Sequence, residues 1–164
     1  MRAVIQRVSH ASVTIEGKVK SSIGTGFLVL LGICEEDNNE DVDWLVKKII
    51  GLRVFDDEEH IMNRNILEMC VFDADGKTIV ETKAGEILVI SQFTLFASYK
   101  KGNRPSWLRA ARHVISVPLY EAFCIRLSEA LGKTVGTGEF GADMKVELLN
   151  DGPVTICMDT KNKE

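Results

Sequence analysis

The segment at residues 26–34, GFLVLLGIC, is apolar at nearly every position. A strand with one wet face alternates apolar and polar side chains, whereas a strand covered on both faces reads as a continuous apolar run. This stretch therefore predicts a layered fold with a strand at its centre. On its N-terminal side, AVIQRVSHASVTIEGKVKSSIG alternates apolar and polar residues and breaks at Gly17, the pattern of an antiparallel hairpin with one wet face. On its C-terminal side, EDVDWLVKKIIGLRVF places Val42, Leu45, Val46, Ile49 and Ile50 at helical spacing. Its leading acidic residues complement the helix dipole.

Further along, residues 69–82 predict a short hairpin turning at DADGK, because Asp-Gly suits hairpin turns. EILVISQFTL (86–95) predicts another strand. PLYEAFCIRLSEALG (118–132) predicts an amphipathic helix with Pro118 in its first turn and Gly132 at its end. Two last strands are expected at about 143–149 and 154–159, around the turn-like hexapeptide NDGPVT (150–155). Together these elements predict an α/β domain, a layered β/β/α sandwich or open barrel of mainly antiparallel strands with two principal helices. It is expected to span residues 1–159, with 160–164 as a frayed tail.

The composition, 45% hydrophobic and 27% charged over 164 residues, is that of a globular protein, and no run is long enough for a membrane span. The N-terminus lacks the continuous apolar stretch of a secretory signal, so the expected location is the cytosol. Cys34, Cys70, Cys124 and Cys157 have no C-x-x-C spacing and lie in apolar stretches, as reduced core thiols do. His10, His60 and His113 form no metal-ligand pair, so no metal and no cofactor are expected.

The net charge of −4 argues against indiscriminate coating of nucleic acid. Its distribution is uneven. Residues 35–43 hold six acids, whereas Ile87 to Tyr120 contains no Asp or Glu and carries Lys100, Lys101, Arg104, Arg109 and Arg112. That stretch could meet phosphates or could be a solvated basic loop.

GTGEFG (136–141) matches G-x-G-x-x-G, but a dinucleotide fingerprint follows a strand and opens a helix, and here a helix precedes and a strand follows. Its glycines more simply shape a loop that brings Phe140 and Met144 to a surface. No G-x-S-x-G elbow, H-E-x-x-H pair or Cys-His motif occurs, and DDEE (56–59) reads as a solvated acidic run. Residue spacing alone names no reaction.

SQFTLFA (91–97), KKGNRPSW (100–107), TGEFGADM (137–144) and NDGPVT (150–155), with the N-terminal VIQRV and ASV, together resemble the D-aminoacyl-tRNA deacylase family over essentially the whole chain. A longer segment around 66–84 and the run LRAARHVIS after Trp107 depart from its usual pattern. The resemblance implies hydrolysis of the ester linking a D-amino acid, or glycine mischarged on tRNA-Ala, to the terminal adenosine of tRNA. It implies a homodimer in which a cis Gly152-Pro153 peptide reaches into the partner's active site. By residue statistics alone that bond would be trans, since only about 5–6% of X-Pro bonds are cis.

In that frame the carbonyls of Gly152 and Pro153 would receive the substrate's amino group and their bulk would exclude an L side chain, with Asn150 and Thr155 as supports and Phe140, Gly141 and Met144 beside them. Ser91, Gln92, Phe93 and Thr94 would stabilise the developing oxyanion. Thr94 carries a possible nucleophile's hydroxyl, yet no base can be placed beside it. Assistance by the tRNA's own 2′-OH to an attacking water is the family expectation. Lys100, Lys101 and Arg104 are expected to meet tRNA phosphates. A non-catalytic RNA-binding module, and a related deacylase selective for L-alanine, are the alternatives.

Overall fold

In a computed structural model describing residues 1–164, the chain runs β1 (Arg2–Ile15), β2 (Lys18–Ile23), β3 (Gly26–Gly32) and α1 (Asn39–Gly51). Two small hairpins follow, β4 (Phe55–Asp56) with β5 (Met62–Arg64) and β6 (Met69–Phe72) with β7 (Ile79–Lys83). The chain continues through β8 (Glu86–Ser91), α2 (His113–Leu131), β9 (Gly136–Thr137) and β10 (Lys145–Asp159). The main sheet has the order β10-β1-β3-β8-β9, with β2 also paired to β1.

β2, β3 and β10 run antiparallel to β1, but β8 is parallel to β3 and β9 is parallel to β8. The sheet is therefore mixed: three of its five pairings are antiparallel, as expected, and two are parallel. The cause lies in the connections: α1 sits between β3 and β8, α2 between β8 and β9, and a helical crossover over one face returns the chain parallel to the strand it left.

β3 is buried along nearly its whole length, as its apolar run predicts. Phe27, Val29 and Leu31 face a core shared with Val42, Leu45 and Ile49 of α1 and Phe123 and Leu127 of α2. Leu28, on the opposite face, joins Val8, Ala11, Val13, Ile23, Leu88 and Ile90 in a second core. That second core is the inside of an almost closed barrel. Ser21 Oγ on β2 donates to the Thr137 carbonyl at 2.9 Å and accepts from the Thr137 N–H at 3.2 Å, linking β2 to β9 across the gap. β1 supplies both cores, Ala3 and Ile5 to the first and Val8, Ala11 and Val13 to the second. Register shifts after Gln6 and after Val8 turn its apolar set from one face to the other.

The hexapeptide NDGPVT does not turn the chain back. β10 is one strand through it, paired with β1 on both sides, and the register steps from Gln6↔Thr155 to Val8↔Asn150. Two positions on β1 are thus matched by five on β10, and the surplus bulges outward. Asn150 Nδ2 fills the bulge by donating to the Arg7 carbonyl (2.9 Å) and the Val154 carbonyl (3.0 Å). Arg7 Nε donates to the Asp151 carbonyl at 3.0 Å and Arg7 Nη1 to the Val54 carbonyl at 2.6 Å. Gly152-Pro153 is cis. Gly152 has φ +128°, and a Cβ there would stand 2.8 Å from Val154 Cγ2, so this position admits only glycine without rearrangement.

Other elements depart in detail. The strand expected over 86–95 ends at Ser91 and passes into a 3-10 turn, Phe93–Phe96. α2 begins at His113, so Pro118 lies inside it rather than in its first turn. Within DDEE, Asp57 is buried and accepts from the N–H groups of Glu59 and Ile61 and from Asn63 Nδ2, shaping the β4–β5 turn. Cys34 is buried, and burial foremost pushes its thiol up to about 12, but Cys157 is exposed and so is no core thiol. No helix is long and apolar enough to cross a membrane.

The tail expected from Thr160 is anchored at its start. Thr160 is buried and its hydroxyl accepts from the Met1 ammonium, while Lys161 Nζ donates to Asp41 Oδ2 at 2.7 Å. Asp41 also accepts from the Asn38 N–H at 2.9 Å, completing the capping box of α1. Burial alone would raise the Asp41 carboxyl, but Lys161, Thr160 and the Asn38 N–H together lower it from 3.8 to about 2. A carboxyl lowered on folding stabilises the protein above its ordinary pKa and loses that contribution as pH falls toward the folded value. Asp41→Asn is therefore expected to remove roughly 2 kcal/mol of the stability lost on acidification from about pH 5 to about pH 2. Urea unfolding across that range measures it. Superimposable acid limbs for the two proteins would contradict the assignment.

Candidate functional site

The parallel pair β3–β8 ends at Leu31↔Ser91, and beyond it opens a cavity of about 610 Å³. Leu31, Ile33 and Ile90 form its apolar floor, and Ser91, Gln92 and Phe93 come off the strand end. Ala110 and Ala111 form one wall because the Ala111 N–H donates to the Ile33 carbonyl at 2.9 Å, extending the edge of β3. Arg112, His113 and Ser116 follow at the start of α2. The segment Phe140–Met144, with Val146, closes the opposite side.

Why these groups meet is local. The Gln92 N–H donates to the Leu31 carbonyl at 2.7 Å, which holds the chain in register as it leaves the sheet, and the 3-10 turn then starts at Phe93. The first N–H groups of such a turn have no partner within it. The Tyr120 hydroxyl, buried on α2, donates to the Val89 carbonyl at 2.8 Å, pinning the helix to the strand that carries Ser91. Burial keeps that phenol neutral by pushing its pKa up.

Aromatic contacts fix the walls. Phe93 meets Trp107 edge-on with ring centroids 5.3 Å apart, and Phe140 meets His113 at 5.4 Å and Tyr120 at 5.8 Å. Gly138 leaves room for Met144, since a Cβ there would lie 2.4 Å from the Met144 sulfur.

Of the residues singled out from the sequence, Ser91, Gln92, Phe93, Phe140, Gly141 and Met144 share this cavity. Thr94 does not line it, and its hydroxyl accepts a hydrogen bond from Gln92 Nε2. Lys100, Lys101 and Arg104 are exposed on a loop closed by paired backbone bonds between Ser98 and Ser106, outside the cavity.

Asn150, Gly152, Pro153 and Thr155 cluster at the bulge of β10, with Gln6 Nε2 donating to Thr155 Oγ1 at 3.3 Å. Thr155 is level with Gln6 and Leu28, whereas Ser91 is level with Leu31. The bulge therefore stands at least three residues, about 10 Å, farther along the strands, and three strands across. One chain does not bring Gly152-Pro153 to Ser91.

Trp107, Ala110, Ala111, Arg112 and His113 line the cavity without having been singled out as site residues. The sequence carried one signal for them: a basic, aromatic stretch free of acids just before a helical pattern.

A family model described as D-Tyr-tRNA(Tyr) deacylase matches residues 4–159. The chain belongs to this family. A D-aminoacyl-tRNA deacylase of Bacteroides thetaiotaomicron is 69% identical to it over 164 residues, covering all of both chains. Among solved structures, a c-Myc DNA unwinding element binding protein superposes with a TM-score of 0.76 at 37% identity, covering 97% of this chain and 98% of that one. A probable eukaryotic D-amino acid tRNA deacylase superposes with a TM-score of 0.73, covering 96% and 97%. At 16% identity that second likeness speaks for the fold alone. The two-helix, nearly closed barrel is thus the fold of these structures as well.

Tyr120→Phe in this deacylase-family chain is expected to lower stability by about 1 kcal/mol, the worth of one hydrogen bond to a buried carbonyl. Denaturant unfolding checks it, and an unchanged midpoint would show that the Val89 carbonyl does not depend on this hydroxyl.

Proposed function

We propose that the chain is a D-aminoacyl-tRNA deacylase that hydrolyses the ester between the amino acid and the terminal adenosine of tRNA. One observation carries the reading: the family's SQFT and TGEFGADM segments, far apart in sequence, converge on a single cavity at the end of β8. The cavity is apolar on its floor, aromatic on two sides and polar at the strand end, which suits an aminoacylated nucleoside.

In this reading the ester carbonyl sits at the strand end, where N–H groups at the start of the 3-10 turn and the side chains of Ser91 and Gln92 stabilise its oxyanion. Thr94 supports Gln92 through their hydrogen bond and is not a nucleophile. The attacking water is assisted by the 2′-OH of the substrate, so the protein's contribution is positioning. Phe93, Phe140 and Met144 hold the nucleoside and ester.

Chiral selection falls to Gly152 and Pro153. Their carbonyls accept the substrate's ammonium while the backbone leaves no space for an L side chain. Glycine, with nothing to exclude, is accepted too, including when mischarged on tRNA-Ala. Since the bulge of β10 is remote from Ser91 along the same chain, these residues act on the cavity of a second copy, and the working unit is a homodimer. Asn150 and Arg7 hold the bulge in shape for that role. Lys100, Lys101 and Arg104 meet acceptor-stem phosphates, and the setting is cytoplasmic proofreading of translation.

Release of amino acid from matched D-, L- and glycyl-tRNA tests the proposal. Release from the D- and glycyl-tRNAs with the L-tRNA left intact is expected, and Thr94→Ala should keep single-turnover hydrolysis within about tenfold of the parent, as loss of one supporting hydrogen bond would. No release from any of them would point to a binding module, and selective release of L-alanine to the variant specificity. Abolition by Thr94→Ala with binding intact would make Thr94 a chemical participant.

A further inference from the structure

Among the residues lining the cavity, Arg112 is the one Lys or Arg and Asp143 the one carboxylate. Asp143 is already met by Lys145 Nζ, 3.0 Å from each of its oxygens. Arg112 is held differently. It caps α2, and Glu35 Oε1 accepts both from its backbone N–H and from its Nε, each at 3.0 Å. Its side chain is 77% exposed, and that of Glu35 35%. Those two hydrogen bonds, the backbone one foremost, hold the Glu35 carboxyl below its ordinary range, so it is ionised at neutral pH.

An ion pair this exposed is worth little, and a long arginine can leave it at small cost. A phosphate offers the guanidinium a stronger, forked partner. Lys100, Lys101 and Arg104 of the basic loop do not line the cavity, which leaves Arg112 as the one cation in its wall. Resting on the deacylase reading, a terminal nucleoside in the cavity must send its 5′-phosphodiester out past that mouth.

We propose that Arg112 is a substrate-positioning residue that grips the phosphate immediately 5′ of the terminal adenosine, and that Glu35 is its intramolecular competitor, occupying the guanidinium until substrate arrives. The backbone half of the Glu35 contact keeps α2 capped while the side-chain half exchanges. Removing the two partners therefore has opposite effects on binding. Arg112→Ala loses the grip, whereas Glu35→Gln keeps an oxygen to cap the helix and frees the guanidinium.

The test compares hydrolysis of D-tyrosyl-tRNA, of 3′-D-tyrosyl-adenosine with a free 5′-hydroxyl, and of the same compound carrying a 5′-phosphate. The parent protein is expected to show a KM about tenfold lower for the phosphorylated compound at similar kcat, the size of one charge-assisted contact. Arg112→Ala should bring that preference close to one, and Arg112→Lys should restore part of it. Glu35→Gln should lower KM for the phosphorylated compound by about two- to threefold, as release from a weak surface pair would.

An unchanged preference in Arg112→Ala, or a KM raised alike in Arg112→Ala and Glu35→Gln, would mean that the pair only caps the helix. Hydrolysis of the tRNA but of neither nucleoside, or of both nucleosides without preference, would also overturn the proposal while leaving the deacylase reading standing. Hydrolysis of none of the three would remove that reading itself.

Discussion

The structure depends on one constraint, the need of β3 to be covered on both faces. Phe27, Val29 and Leu31 demand cover from helices, and Leu28 demands cover from the curled remainder of the sheet. Meeting the first demand sends the chain over one face twice, through α1 and α2, and so makes β8 and β9 parallel to their neighbours. Meeting the second bends β1 until it contributes to both cores and brings β2 within reach of β9. The cavity is a by-product of these two solutions. It opens where the parallel strands stop, between the helical layer and the barrel, at the carboxyl end of β8, where open α/β sheets bind ligands.

The second determinant is the surplus on β10. Three residues more than its partner needs are thrown out of the ladder, and their polar groups are met by Asn150 and Arg7 rather than by water alone. Arg7 is itself largely buried, bridging β10 to the carbonyl of Val54 after α1. The bulge is thus tied to the body of the fold while Asp151, Gly152 and Pro153 stay exposed. A strand that pairs on both sides of a bulge can present backbone groups to another molecule without losing its place in the sheet.

Much of this was legible in the residues. The period-two alternation of β1 and β2, the nearly unbroken apolar run of β3, the helical spacing of apolar residues in α1 and the Asp-Gly turn between β6 and β7 each have a local cause and stand where expected. What failed was non-local. Strand direction depends on crossovers, so the two parallel pairings, β3 with β8 and β8 with β9, could not be read from strand patterns. NDGPVT has turn chemistry, but whether the flanking strands pair with each other or with a third strand depends on β1, 140 or more residues away, as the Asn150–Arg7 contact shows.

Asp57 sits in a run whose composition is that of a solvated segment and Thr160 opens a tail whose composition suggests fraying, yet both are buried by neighbours in space. The site was legible in part: motif resemblance grouped Ser91, Gln92, Phe93, Phe140 and Met144, while Arg112 and His113 entered the cavity only because the start of α2 lies against the end of β3. The cavity at the end of β8 is proposed to receive the aminoacylated terminal adenosine. A crystal structure with a non-hydrolysable D-aminoacyl-3′-amino-adenosine tests it most directly. The amide carbonyl is expected at Ser91–Phe93 and the nucleoside between the Phe93–Trp107 and Phe140–His113 walls. An analogue bound elsewhere, with this cavity empty at saturation, would contradict it.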